Sequence, residues 1–244
     1  MPRIFINHQQ PRFIFFTNYK VMSSSILGVM SKFFKEATLT APSEKLFHME
    51  GYSKLAICRD PYNRLFSVYY DKCLIDPKAK QTGRRKMFLQ DPQEKILLHY
   101  YKLRKKSGKI VVPGVVFTED DHDYECLKAN LSDLTRISIH DFILVLKEMF
   151  AGANIDHHFI PQVTFLTEKD QMKMDYLYKM EEIEIYWTEI CNILGKELPL
   201  LRNNPTDFGL IDRPFGKNDL SAQEHKIVRE SYRNDFEMFG YQAL

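Results

Sequence analysis

A lysine and three serines stand between an apolar run and a helical pattern in "FIFFTNYKVMSSSILGVMSKFF". The run Phe13–Phe16 predicts a buried strand, and apolar residues at helical spacing after Ser25 predict a helix. The segment Lys20–Ser25 then joins strand to helix, where backbone N–H groups, the positive helix end, hydroxyls and a lysine can bind a phosphate. The alternative is a polar turn whose serines only cap the helix.

The phosphate loop of ordinary ATP- and GTP-binding proteins has the pattern G-x-x-x-x-G-K-[ST]. The present segment has a single glycine, Gly28, which falls inside the predicted helix. A nucleotide kinase of that type is therefore disfavoured, also because no obvious magnesium-binding carboxylate stands beside the loop.

A second junction of strand and helix follows in "KLAICRDPYNRLFSVYYDKC". Lys54–Cys58 predicts a strand, and the aspartate and proline after Arg59 suit a helix start. Arg59 offers a planar fork to a phosphate, and Ser67, about two turns into the helix, adds a hydroxyl. The alternatives are a salt bridge from Arg59 to Asp60 or Asp71 and a packing role for Ser67.

Further patterns continue the alternation of strands and helices. "SIHDFILVLKEMF" predicts a helix capped by Ser138, "MDYLYKME" a short strand, "EEIEIYWTEICNILGK" a helix ending near Gly195, and Ser221–Phe239 a final helix. We predict one domain over residues 1–244, an α/β fold with a central parallel sheet flanked by helices. In such sheets the carboxyl ends of the strands face one crevice, so both phosphate sites point to one ligand.

Composition limits the classes of function. The 244 residues are 44% hydrophobic and carry a net charge of +2, so no overall field favours nucleic acid or membrane. Four scattered cysteines form no C-x-x-C pair and indicate reduced thiols without zinc or disulfides. The N-terminal apolar run is too short for a signal peptide or a membrane helix, and we expect a soluble, cytoplasmic protein.

Five stretches together resemble the carbohydrate sulfotransferase family, which includes the chondroitin-type enzymes and uses 3′-phosphoadenosine-5′-phosphosulfate (PAPS). They are "NYKVMSSS", "YSKLAICRDPYNRLFSVYYDK", "IDHHFIPQ", "MDYLYKMEEIEIYW" and "YRNDFEMFGY". The block R-D-P-[FY]-x-R-L-x-S-x-[YF] and the ending Y-R-x-D-F-E-x-F-G-Y are the most specific. They occur in the family's order, from about residue 13 to the C-terminus.

The resemblance implies a P-loop-like sulfotransferase fold and a donor site for PAPS. Its 5′-phosphosulfate loop would contain Lys20, Val21, Met22, Ser23, Ser24 and Ser25, and Arg59 and Ser67 would bind the 3′-phosphate. A cysteine-proline-cysteine element of many animal members is replaced here by "VTFLTEKDQ". This departure fits a reduced compartment and a microbial member of the family.

Sulfuryl transfer resembles phosphoryl transfer, in which charge builds on the leaving phosphate oxygen. Lys20 is the candidate that meets this charge, and no metal ion is expected. A base must also take the proton of the acceptor hydroxyl. The resemblance aligns His158 of "IDHHFIPQ" with the family's histidine. His157 is the neighbour most easily confused with it, His48 is a lesser candidate base, and Asp156 could orient a histidine. The alternative is that His158 only packs the loop and positions substrate.

The leading hypothesis is an enzyme that moves sulfate from PAPS to a hydroxyl of an oligo- or polysaccharide. The basic clusters at 84–86 and 102–109 would suit an anionic glycan, although such runs are more often solvated surface. Two alternatives stay open: a sulfotransferase for a small-molecule or tyrosine hydroxyl, and a non-catalytic relative that binds nucleotide or glycan. The sequence indicates neither the acceptor sugar nor the oligomeric state.

Overall fold

The computed structural model describes residues 3–73, 96, 99–100, 137–152, 155–200 and 215–242. It divides into two compact units. The first comprises Met1–Arg64, Ile160–Asp207 and Tyr232–Leu244, and the second comprises Leu65–Phe159 and Phe208–Ser231. The predicted single domain over 1–244 stays a prediction.

The first unit is built on a mixed sheet of five strands, β1 (Ile4–Asn7), β2 (Phe13–Phe16), β3 (Thr38–Thr40), β4 (Ser53–Cys58) and β7 (Tyr176–Lys179). Their order in the sheet is β3-β1-β2-β4-β7. Two further strands, β5 (Thr167–Glu168) and β6 (Gln171–Met172), form a separate antiparallel hairpin. The α/β class predicted from the sequence is confirmed, as are the strands at β2, β4 and β7.

The predicted parallel arrangement holds for the part of the sheet that carries the candidate site. β2 pairs with β4, and β4 with β7, in parallel. β1 pairs antiparallel with both β2 and β3. The link between β1 and β2 is too short for the crossover that parallel strands need, so these two must form a hairpin.

Helices of the first unit cover both faces of the sheet. Helix α1 (Ser23–Phe33) and helix α4 (Ile183–Leu194) pack their apolar side chains against one face, which includes Phe13 and Phe15. The other face, with Ile14 and Phe16, packs against Val163 and against Phe239 of helix α6 (Arg233–Phe239). Alternate residues of β2 therefore enter two separate apolar clusters, as strand geometry requires.

The second unit contains most of helix α2 (Pro61–Lys72), helix α3 (Ile139–Ala151) and helix α5 (Ala222–Ser231). Tyr69 packs against Phe142 with ring centroids 5.2 Å apart, and its hydroxyl donates to the Ile137 carbonyl at 2.8 Å. The predicted cap of α3 is confirmed, because the Ser138 hydroxyl accepts the Asp141 N–H at 3.1 Å.

The prediction of one final helix over Ser221–Phe239 is wrong, because α5 ends at Ser231 and α6 begins at Arg233. Tyr232 lies between them outside helical geometry, with φ −120° and ψ 26°. Its buried ring lies 5.8 Å from the Arg64 guanidinium. No glycine or proline marks this break. Tertiary contacts, which a local sequence pattern does not reveal, therefore determine where the helix is interrupted.

Some predictions fall on residues outside the described ranges. They concern residues 76–93, the interrupted strand "IVVPGVVF", the basic clusters at 84–86 and 102–109, and Cys126. Cys58, Cys73 and Cys191 are free and buried. None of the described helices has the length and apolar character needed to cross a bilayer. The cytoplasmic location stays a prediction.

Candidate functional site

Two loops leave neighbouring parallel strands at the same edge of the sheet. β2 ends at Phe16 and continues into the Lys20 loop, residues 17–22, before α1 begins at Ser23. β4 ends at Cys58 and continues through Arg59 and Asp60 into α2. Because Phe16 pairs with Ala56 in the parallel ladder, both loops emerge side by side.

The Lys20 loop has an unusual backbone for a segment without glycine. Lys20 has φ 63° and Met22 has φ 58°, so two non-glycine residues adopt the left-handed conformation. Such residues cost free energy and cluster at binding and active sites. Asn18, in the same loop, is 1% exposed, and neither polar atom of its side chain has a hydrogen-bond partner among the described residues. The loop therefore keeps two costly features, which is typical of a functional segment.

The loop delivers the positive end of α1 to the site. Met22 occupies the N-cap position and no side chain caps the helix, so the alternative of a simple serine cap does not hold. Val21 is buried in the core and Met22 packs against the same cluster, which leaves backbone N–H groups as their contribution to a ligand. Ser25 is also buried, at 2% exposed.

Arg59 connects the two predicted phosphate sites, because its Nη1 donates to the Lys20 carbonyl at 3.0 Å. Over the described part of the chain this is the one acceptor that its guanidinium reaches, and no ion pair joins it to a carboxylate. Burial lowers the pKa of Arg59, and the negative charges of Glu181 and Asp60 oppose that shift. A guanidinium carries several N–H donors in a planar fork, so most of its capacity remains for a ligand.

The salt bridge considered for Arg59 is not formed, since both aspartates have other partners. Asp60 caps α2 by accepting the Asn63 N–H at 3.0 Å through Oδ1. Asp71 pairs with Lys72 at 2.8 Å. Glu181, which follows β7, accepts the Asp60 N–H at 3.0 Å and the Tyr241 hydroxyl at 2.8 Å. The carboxylates around Arg59 thus shape its surroundings without direct pairing.

Gln162 binds the backbone of Arg59 on both sides. Its Nε2 donates to the Arg59 carbonyl at 2.8 Å, and its Oε1 accepts the Arg59 N–H at 3.0 Å. Asp235, which is fully buried on α6, accepts the Gln162 N–H at 2.9 Å, the Val163 N–H at 2.8 Å and Gln162 Nε2 at 3.3 Å. A chain of side chains therefore runs from α6 to the end of β4.

Arg64 ties together segments that are distant in the sequence. Its Nε donates to the Tyr19 carbonyl at 3.3 Å, its Nη2 to the Ile160 carbonyl at 2.7 Å, and its Nη1 lies 4.0 Å from Asp235 Oδ2. At 2% exposed, it is a buried charge placed among carbonyls and one carboxylate.

Arg64, Gln162 and Asp235 were missed by sequence reasoning. Each stands in a stretch that carries the family resemblance, namely the blocks "RDPYNRL", "FIPQ" and "YRNDFEMFGY". The signal that could have found them is a long polar side chain flanked by apolar residues on a buried face, since such a group needs partners.

The second unit holds the candidate base. His158 Nδ1 lies 2.7 Å from Asp156 Oδ1, which also accepts the His158 backbone N–H at 2.8 Å. Asp156 is 6% exposed, and Phe159 is fully buried against Phe142. The buried Phe159 thus anchors the loop next to His158. The Asp156 carboxylate orients the imidazole ring of His158, a role that the sequence analysis considered for it.

The remaining candidates differ from this arrangement. His157 is exposed, and His48 is bonded to Glu168 at 2.8 Å with a largely exposed side chain. Ser67 lies on α2 in the second unit, is 8% exposed, and has no hydrogen-bond partner within the described ranges. The structure therefore joins Lys20 with Arg59, and separately Asp156 with His158.

A cleft of about 480 Å³ lies at the end of α4, lined by Trp187, Cys191 and Leu198 among others. Its Gly195 lies against Pro11, at the amino end of β2 and so opposite the Lys20 loop. Within the described ranges there is no group of three or more His, Cys, Asp or Glu side chains that could hold a metal ion. Neither finding adds to the candidate site.

Comparison with known families gives a match that spans nearly the whole chain. The model described as "Sulfotransferase family" matches residues 3–242, nearly the whole chain. Comparison with the curated proteins and with the solved structures found no match.

Proposed function

Because the chain belongs to the sulfotransferase family, whose members are transferases that use PAPS as donor, we propose that it transfers the sulfuryl group of PAPS to a hydroxyl of an oligo- or polysaccharide. The observation that carries the proposal is Arg59. A largely buried guanidinium with one described acceptor is costly unless an anion completes its hydrogen bonds. The 3′-phosphate of the donor is such an anion.

The Lys20 loop suits the other end of the donor. Its backbone N–H groups and the uncapped start of α1 suit an anion such as the 5′-phosphosulfate, and the family resemblance assigns the hydroxyls of Ser23, Ser24 and Ser25 to the same group. The bond from Arg59 to the Lys20 carbonyl supports this assignment, because it brings the two proposed anion sites together. Ser67 is assigned a hydroxyl contact to the 3′-phosphate, which rests on the family resemblance.

Lys20 and His158 carry the chemistry in this proposal. The acceptor oxygen attacks sulfur, and the bond from sulfur to the phosphate oxygen breaks in line, which leaves adenosine 3′,5′-bisphosphate. Lys20 stabilises the charge that develops on that leaving oxygen. His158 takes the proton of the acceptor hydroxyl at Nε2, because the bond to Asp156 selects the tautomer with the proton on Nδ1.

A carbohydrate acceptor is supported by the resemblance of the five quoted stretches to carbohydrate sulfotransferases. A small phenol or a tyrosine hydroxyl would use the same donor site, so the acceptor has to be identified by assay. The basic clusters at 84–86 and 102–109 would suit an anionic glycan, so the assay compares an anionic with a neutral one.

The test is transfer of radiosulfur from labelled PAPS to four acceptors: a neutral glycan, a uronate-containing glycan, a small phenol and a tyrosine peptide. We expect label in glycan, with the uronate glycan ahead, and loss of transfer in Lys20→Ala. Lys226→Ala, which removes an exposed lysine that is assigned no contact with donor or acceptor, serves as the matched control and should transfer normally. Label only in the phenol or the peptide would contradict the proposal of a carbohydrate acceptor. Absence of transfer to all four acceptors would contradict the proposal that the protein is an active sulfotransferase.

A further inference from the structure

Arg59 stands where the sheet stops supporting the backbone. The ladder of β4 ends at Cys58, which pairs with Lys179 of β7, so neither neighbouring strand holds the next residue. A residue just past a strand end is free to rotate unless other groups hold its N–H and carbonyl. An arginine that has to present a planar fork to one phosphate needs that backbone fixed, because its long side chain magnifies any error at Cα.

The side chain of Gln162 replaces the missing strand. It bonds the N–H of Arg59 with Oε1 and the carbonyl with Nε2, the two contacts that a paired strand residue would make. Gln162 is fully buried, so water does not compete for these bonds. The backbone of Arg59 is therefore held by an amide that comes from 103 residues further along the chain.

The orientation of this amide is fixed by three independent partners. The Arg59 N–H can only donate, so it must face Oε1, whereas the Arg59 carbonyl and the Asp235 carboxylate can only accept, so they must face Nε2. A reversed amide would place donor against donor and acceptor against acceptor. Asp235 thus sets the direction of Gln162 while it holds the turn at Gln162 and Val163 through their N–H groups.

We propose that Gln162, oriented by Asp235, is the residue that positions Arg59 for recognition of the donor's 3′-phosphate. The proposal rests on the proposed function, in which Arg59 binds that phosphate. Neither Gln162 nor Asp235 is assigned a contact with substrate. Both are positioning residues, and their effect must appear as a loss of discrimination between nucleotides with and without a 3′-phosphate.

The experiment measures, by calorimetry, the ratio of the affinities for adenosine 3′,5′-bisphosphate and adenosine 5′-monophosphate. Both nucleotides meet the same preparation, so the ratio does not depend on the fraction of folded protein. Gln162→Met keeps a similar volume but makes neither bond to Arg59. Asp235→Asn makes no direct contact with Arg59; it changes the acceptor of Gln162 and also removes the charge beside Arg64. Thr164→Ala, an exposed change on the same turn, is the matched control.

We expect the wild type and Thr164→Ala to prefer the bisphosphate strongly, and Arg59→Ala to lose that preference. Gln162→Met should reduce the ratio by at least about tenfold, the equivalent of one charge-assisted hydrogen bond, with affinity for the monophosphate retained. Asp235→Asn should reduce it less.

Three other results separate the possible failures. A wild type without preference overturns the proposed function, and this inference with it. A wild type whose preference depends on Arg59 but survives in folded Gln162→Met and Asp235→Asn leaves the proposed function standing and overturns the positioning role. Equal losses for both nucleotides also overturn it, because they indicate general damage to the fold.

Discussion

Replacing Arg64 by methionine removes a buried guanidinium and fills most of the same space with an apolar chain. Each carbonyl that loses a charged donor costs about 1.5–3 kcal/mol. A buried carboxylate that loses its cation costs about 3–5 kcal/mol. Burial already raises the pKa of Asp235, and the charge of Arg64 is the largest effect opposing that rise. Because these effects share one side chain and do not add, we expect Arg64→Met to lower the free energy of unfolding by about 3–5 kcal/mol.

The reasoning is tested by a double-mutant cycle with Asp235→Asn. Asp235→Asn alone should cost about 1–3 kcal/mol, because it weakens the acceptor for the turn at Gln162 and removes the charge opposite Arg64, which keeps its two carbonyl acceptors. The double variant contains no buried carboxylate without a cation. Its loss of unfolding free energy should therefore be smaller than the sum of the two single losses by at least about 1.5 kcal/mol.

Urea unfolding followed by tryptophan fluorescence suits this cycle. The only tryptophan of the chain, Trp187, lies on α4 in the same unit as Arg64 and Asp235. The exposed Arg12→Met is the matched control and should cost less than about 1 kcal/mol. Two results would refute the structural role of Arg64. One is a loss of less than about 1 kcal/mol in the free energy of unfolding for Arg64→Met, and the other is a double variant whose loss equals the sum of the single losses within about 0.5 kcal/mol.

Three further predictions follow from the site and its surroundings. Lys20→Ala should lower kcat by roughly 100-fold or more in the radiosulfur assay, because it removes the charge beside the leaving oxygen, and an unchanged kcat would exclude that role. Asp156→Asn should lower kcat by about 10-fold or more while leaving the calorimetric affinity for adenosine 3′,5′-bisphosphate intact, since the change lets the His158 ring turn; a loss of affinity instead would point to a structural role. The hydrogen bond from His48 lowers the pKa of Glu168 from its usual 4.5, so its stabilising effect is present above that pH and lost below it. Melting temperatures should therefore show an advantage of wild type over Glu168→Gln that disappears as the pH falls below about 4.5, and a constant difference would contradict the pairing.

The elements that carry the site are those that local pattern predicts best. The apolar runs at Phe13–Phe16 and Lys54–Cys58, each followed by helical spacing, gave β2, α1, β4 and α2 at nearly their observed bounds. The proximity of Lys20 and Arg59 also follows from sequence, because parallel neighbours present their carboxyl ends at one edge. The sequence pattern could not show that the contact runs from the Arg59 guanidinium to the carbonyl oxygen of Lys20.

Long-range contacts were not accessible to the same reasoning. The antiparallel position of β1, the break at Tyr232 and the bonds from Gln162 to Arg59 all depend on partners far along the chain. A buried polar side chain is informative only once its partners are known, and sequence spacing does not identify them. The histidine was found through the family resemblance, whereas its bond to Asp156 came from the structure.

The measurement that tests the central claim most directly is calorimetric binding of adenosine 3′,5′-bisphosphate to wild type and to Arg59→Ala in the presence of a metal chelator. The account predicts binding by the wild type without metal and a loss of at least about tenfold in the variant, because the 3′-phosphate loses its charged fork. Thr164→Ala should bind as the wild type does. Absence of binding by a folded wild type, with chelator or with added magnesium, or undiminished binding by Arg59→Ala, would contradict the assignment of the donor site.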